Sequence, residues 1–214
     1  MEKQMTIHEA LSTLKLLDKR IQSKLENAFI AKRLVANNKI NDIDVKDYET
    51  KLKANFDSVK ALIKNKAKIK SAIDKSNSIT EVTIGKHTMT VQEAIVRKHL
   101  IEDEENFLAG LKIQYSEAVK AMNKANEGLQ EKAERYLVSI SQTDKTNRSA
   151  EELKELKESY IAGNTTVLCD PNKLGDVITA MEEDINTFIS NVDFELSKSN
   201  SLTVIKVDLD EVTE

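Results

Sequence analysis

A mainly α fold is predicted: two long antiparallel helical hairpins with coiled-coil-like seams, joined by a small antiparallel β-sheet of a hairpin plus a C-terminal strand. Three observations carry this expectation. The 214 residues include only 5 Gly and 1 Pro, too few for the many tight turns of a sandwich or barrel. Charged residues make up 32% and hydrophobic ones 40%, with aromatics at 4% and no Trp, a balance that suits long amphipathic helices. The third observation is an internal repeat.

Met5-Thr6-Ile7-His8-Glu9-Ala10-Leu11 returns as Met89-Thr90-Val91-Gln92-Glu93-Ala94-Ile95. Each segment reads as a helix start. Thr6 and Thr90 can cap the free amides of the first turn, and Glu9 and Glu93, three residues on, reach back to the cap amide. A second pair follows the same logic: Lys75-Ser76-Asn77-Ser78-Ile79-Thr80 returns as Lys198-Ser199-Asn200-Ser201-Leu202-Thr203. Ser and Asn favour helix ends because their side chains compete for nearby backbone groups. Both segments precede a β-like run, Glu81 to Ile84 and Val204 to Val207. The unit is therefore a capped helix, a connection, a return helix, a Ser-Asn-Ser stop and a strand. It occurs twice, over 1–89 and 90–214, with about 141–170 inserted in the second; the two are expected to form one integrated domain.

The first helix is expected from Ile7 to the mid-thirties, because Ile7, Leu11, Leu14, Leu17, Ile21, Leu25 and Ala28 share one face. Asn37 to Asp44 marks the turn. The return helix carries Tyr48, Leu52, Phe56, Val59, Ile63 and Ile73 on its stripe and ends near Asn77. Next comes a β-hairpin, with Gly85-Lys86 as a two-residue turn, and Thr203 to Val207 is the expected third strand. The third helix is predicted from Val91 to about Ile140, roughly 75 Å at 1.5 Å per residue. Its apolar residues Ala94, Ile101, Leu108, Tyr115, Met122, Leu129 and Tyr136 recur every seven positions, the pattern of a seam. Ile101, Leu108, Tyr115, Met122, Leu129 and Tyr136 are the proposed assembly seam, since so long a stripe exceeds what one chain easily covers. Ser149 to Ala162 is expected to fold back on the distal part, with Gly163-Asn164 as its cap. The last helix is predicted to start at Asp170-Pro171, with Leu174, Ile178, Met181, Ile185, Phe188 and Val192 on its stripe.

No catalytic, cofactor or metal site is predicted. His8 lies in a first turn where the repeat has Gln92, and neither His87 nor His99 has a ligand at metal spacing. Glu102-Asp103-Glu104-Glu105 and Glu182-Glu183-Asp184 point around their helices and read as solvated faces. Cys169 has no basic neighbour in sequence, so a small buried apolar role is expected. No Ser, Thr or Lys sits in a nucleophile motif.

Charge is unevenly spread. Residues 46–75 carry nine Lys against four acids, and residues 176–214 carry ten acids against two Lys. Such segments attract one another within a chain or between chains. The overall charge of -4 argues against a dedicated nucleic-acid binder. Met1 to Thr6 lacks a signal-like apolar run, and no stretch approaches the roughly 20 residues of a membrane span, so a soluble protein made in the cytoplasm is expected.

With these segments in view, the chain resembles the septicolysin-type family of small helical bacterial and prophage proteins. The resemblance rests on Glu9-Ala10-Leu11 with Lys19-Arg20-Ile21, on Ile73-Asp74-Lys75-Ser76-Asn77, on Thr90-Val91-Gln92-Glu93-Ala94 and on Ser199 to Thr203. It implies a helical fold with a small sheet that self-associates into a ring-like oligomer, with no catalytic residues. The leading expectation is a non-enzymatic, self-assembling structural protein, such as a phage or prophage neck, collar or tail component with other virion proteins as partners. The alternatives are a membrane-active or host-interaction helical protein, and an enzyme with a site built between subunits. No membrane or nucleic-acid partner is expected.

Overall fold

The computed structural model describes residues 2–35, 38–143 and 148–212. Met1, Asn37, residues 144–147 and Glu214, on which parts of these expectations fall, lie outside the described residues. Within them the chain is mainly helical, with small antiparallel sheets of two strands each. The elements in order are β1 (Glu2–Thr6), α1 (Ile7–Leu25), β2 (Lys39–Ile40), β3 (Ile43–Asp44), α2 (Val45–Asn77), β4 (Glu81–Ile84), β5 (His87–Thr90), α3 (Val91–Asn126), α4 (Leu129–Thr143), α5 (Ala150–Asn164), α6 (Leu174–Leu202) and β6 (Val204–Asp208). Two compact units divide the chain, one of Met1–Leu100 with Asn186–Glu214 and one of Ile101–Ile185. The division does not fall between residues 89 and 90: that point lies inside β5, and β1 and β6, on either side of it, pair with each other.

In the first unit the repeat is visible bond by bond. Thr6 Oγ1 accepts from the Glu9 amide at 3.1 Å, and the Glu9 carboxylate accepts from the Thr6 amide at 2.7 Å. Thr90 and Glu93 make the same two bonds, at 3.1 and 2.7 Å. These bonds favour the ionised form, so both carboxyls are held below their ordinary pKa, chiefly by the cap amides. The helix exits match too: the Thr80 amide donates to the Ser76 carbonyl and the Thr203 amide to the Ser199 carbonyl, each at 2.9 Å. Thr80 then accepts from the Val91 amide at 2.8 Å, and Thr203 from the Ile7 amide at 3.0 Å.

The strands follow the same rule. β4 and β5 pair with Glu81 opposite Thr90 and Val82 opposite Met89. β6 and β1 pair with Val204 opposite Thr6 and Ile205 opposite Met5. Under the repeat these are one register used twice. The expected joining sheet is therefore corrected: the C-terminal strand does not extend the hairpin but pairs with residues 2–6, for which no element was predicted. The strand leaving each return helix pairs with the strand entering the other repeat's first helix, which leaves the hairpin complete without a third strand. Gly85 takes a φ of +61° in the hairpin turn, and a Cβ there would lie 2.7 Å from Thr187 Cγ2 of α6.

α1 and α2 run antiparallel, as the Asp18–Lys66 ion pair and the Asn55–Ala28 hydrogen bond show. β6 lies over them: Ile205 and Val207 join Met5, Ile7, Ala10, Leu17, Leu62, Ile69 and Ile73 in one buried cluster. A strand from the second repeat thus closes the core of the first. α1 stops at Leu25, short of the mid-thirties. Tight turns follow, and Asn55 of α2 takes the Ala28 carbonyl at 3.0 Å, a group that a continuing helix would have bonded itself. The connection contains the β2–β3 hairpin, with Asn41 and Asp42 at positive φ of 49° and 66°, as a tight two-residue turn requires. The face that α2 buries is Val45, Val59, Leu62, Ile69 and Ile73. Phe56 and Ile63 from the expected stripe are exposed, because each lies one residue, about 100°, beyond a covered position.

In the second unit the long third helix is broken. Gly128 adopts a φ of +69° between α3 and α4. Beside it the Asn126 side chain donates to the Thr166 carbonyl and accepts from the Thr166 amide, both at 2.8 Å. α5 starts at a Ser149–Glu152 capping box and packs against α4, with Tyr160 stacked on Tyr136 at 4.5 Å; its cap is Thr165 and not Gly163-Asn164. The last helix begins at Leu174, later than Asp170-Pro171. Asp170 caps the Leu174 amide at 2.7 Å, and Lys173 at a φ of +52° turns the chain, so Pro171 precedes the helix. The residues expected on its stripe are buried or half-buried.

The equivalence of the two caps has a measurable consequence. Thr6→Ala and Thr90→Ala should each cost about 1 kcal/mol in urea unfolding. Because the folded pKa values of Glu9 and Glu93 are depressed, their contribution is full above the ordinary carboxyl value of 4.5. It is lost as pH falls through the lower folded values. Glu9→Gln and Glu93→Gln should therefore flatten the acid limb of the stability curve by similar amounts.

Candidate assembly surface

The expected seam residues mostly face the chain's own elements. Leu108 is buried, Ile101, Tyr115, Met122 and Leu129 are half-buried, and Tyr136, though exposed, stacks on Tyr160. Tyr115 lies against Gly175 of α6, where a Cβ would come within 3.1 Å of its hydroxyl. The outward large apolar side chains of α3 are instead Val96, Leu100, Phe107 and Ile113, displaced from the seven-residue repeat.

A different apolar surface stays open in the first unit. Because α1 ends at Leu25, the outer side of α2 is not covered there. Leu25, Phe29, Phe56, Val59, Lys60 and Ile63 line an open groove of about 480 Å³, its walls almost wholly apolar. Phe56 and Ile63 are 56% and 53% exposed. Beyond Phe29 in the chain, Ile30, Leu34 and Val35 project from the irregular segment after α1 at 87%, 72% and 91% exposure. The groove carries Lys60 on its rim, and Lys51 and Lys53 are exposed on the same helix. Glu102, Asp103 and Glu105 on α3 are exposed with the opposite sign.

The expected attraction between the basic and acidic segments is realised within the chain at Asp210. This residue, just beyond β6, lies between Lys64, at 2.9 Å, and Lys68 of α2. Its carboxyl is held below the ordinary Asp value, first by Lys68 and then by Lys64. Beneath it the buried Asn65 side chain donates to the Asp210 carbonyl at 2.9 Å and accepts from its amide at 2.7 Å. The amide group thus replaces a missing strand neighbour. Nothing in the sequence pattern marks Asn65, since a polar residue among lysines reads as solvated.

The other chemistry-bearing residues do not converge. His8 and His87 are exposed, and His99 Nδ1 lies 2.7 Å from the Ile95 carbonyl one turn back. A shallow cleft brings His8 near Glu9 and Lys3, but the Glu9 carboxylate is taken up by the cap. Cys169 is exposed and not buried as expected: it sits in the irregular connection before α6, which runs over the surface as loops do. Among the described residues no three His, Cys, Asp or Glu side chains group as a metal site, and no helix is long and apolar enough to cross a membrane. No known protein family, curated protein or solved structure matches the chain.

The Asn65 grip can be tested alone. Asn65→Ala should cost about 1–3 kcal/mol by stranding buried backbone groups, and limited proteolysis should then remove the residues after 208. In the unmutated chain the ionic part of the grip persists above the ordinary Asp value of 3.8 and is lost as pH falls through the depressed one. Hydrogen exchange at 209–212 read across that range reports the release.

Proposed function

We propose that this chain is a non-enzymatic structural protein whose copies associate with one another, with the groove of Leu25, Phe29, Phe56 and Ile63 as a contact surface. The groove is the observation that carries the reading. An open apolar surface between two helices, rimmed by positive charge, suits a partner that brings an apolar face and negative charge. A second chain offers both, through exposed Phe107 beside Glu102, Asp103 and Glu105 on α3. The carboxylates of Glu9, Glu93 and Asp210 are taken up by caps and by a lysine clamp, which supports a structural role for them. The septicolysin-type resemblance extends the proposal to a ring-like homo-oligomer, and a neck, collar or tail part of a phage or prophage virion is the setting we propose for it.

Light scattering on the full chain at micromolar concentration tests the reading, with an oligomer as the expected result and a monomer at every concentration overturning it. Phe56→Glu with Ile63→Glu should abolish groove-mediated association while changing unfolding free energy by less than about 0.5 kcal/mol per site, as exposed substitutions do. Release of dye from anionic vesicles by the unmutated chain would favour a membrane-active protein instead.

A further inference from the structure

The two strand joints of the first unit are chemically the same joint, but only one is closed covalently. β4 and β5 are linked through Gly85-Lys86, whereas β6 and β1 are distant in sequence and are joined only by non-covalent contacts. The register is shared, and so are the flanking bonds from Val91 to Thr80 and from Ile7 to Thr203. From this we infer that the β1–β6 joint is an interaction surface for a second copy of this chain: β6 of one molecule can occupy β1, α1 and α2 of the next, in reciprocal exchange. The inference deepens the self-association reading and rests on it, but names a surface other than the groove.

Three observations support this occupant. The site that β6 fills is already built for a strand belonging to a different repeat, so a repeat from another chain presents the same residues in the same register. Ile205 and Val207 would bury against Met5, Leu62 and Ile69 as they do now. The grip on the tail travels with the strand, because Asn65, Lys64 and Lys68 hold Asp210 through its backbone and carboxylate and make no use of chain connectivity. Exchange then swaps contacts for identical ones. The balance between closed and exchanged forms is set by the hinge at Leu202-Thr203 and by protein concentration, the usual terms of domain swapping.

Gln4 and Lys206 are paired across this joint and both exposed, so cysteines there should leave the fold intact. Two single-cysteine chains, Q4C and K206C, each also carrying C169S, are mixed in urea, refolded together at high protein concentration and oxidised. A disulfide between the two different chains, in clear excess over the statistical mixture with either homodimer, is the expected result, and the excess should fall on dilution before refolding. A statistical mixture, or no cross-link, overturns the exchange. A chain carrying both Q4C and K206C with C169S, oxidised when dilute, is locked in the closed form. If it still associates in light scattering while the mixed chains show no excess, the groove reading stands and the exchange fails; if it stays monomeric while the mixed chains cross-link, the groove reading fails and the exchange stands.

Discussion

A strand that crosses from one repeat to the other organises the first unit. α1 and α2 offer a stripe of Ile7, Ala10, Leu17, Leu62, Ile69 and Ile73 that is closed only when Ile205 and Val207 of β6 settle on it beside Met5. Burying each such aliphatic side chain is worth about 1.5–3 kcal/mol, more than any single exposed ion pair in the chain can contribute. A two-stranded ribbon alone is marginal in water. Laid on a helical hairpin it acquires an apolar floor, and the hairpin acquires a lid. The first repeat does not complete its own core from its own sequence.

The repeats have diverged where their connections differ. Counting back from the paired Ser-Asn-Ser segments, Leu62 corresponds to Ile185 and Ile69 to Val192, and all four are buried. Asn65 corresponds to Phe188, and here the chemistry parts. Over the helices of the first repeat the chain runs on past β6 as a tail whose backbone needs a partner, and the Asn65 amide supplies it. Beside α6 of the second repeat the chain turns back through Gly85-Lys86, so no tail needs holding. Phe188 is instead buried beneath the Arg97 guanidinium, 4.4 Å from the ring centroid. Asn126 uses the Asn65 device again on Thr166 in the second unit. Each Asn serves one residue's amide and carbonyl at once, which suits an irregular segment lacking a strand beside it.

The groove has the same origin in local geometry. Leu25, Phe56 and Ile63 satisfy helical spacing as well as their buried neighbours do, but α1 ends before it can cover them. The apolar surface that remains is lined by Leu25, Phe29, Phe56 and Ile63. It is a consequence of where one helix stops.

The mainly helical class, both capping boxes, the β4–β5 turn, the α5 helix and the stripe of α6 were all legible from spacing and cap chemistry, because these are set by residues within a turn or two of one another. The duplication was legible for the same reason, as two short motifs carry it. Which strand β6 would choose was not, since β1 and the hairpin edge both offer backbone groups and only the packing of Ile205 and Val207 on α1 and α2 distinguishes them. The end of α1 at Leu25 and the break at Gly128 depend on Asn55 and on the turn that Asn126 makes with Thr166, partners 27 and 40 residues away. Periodicity found the apolar faces of α2 and α3, but a helix is apolar over a wider arc than its neighbours cover. Short-range chemistry decided the elements; which side of each is wet was decided only when the distant segments had met.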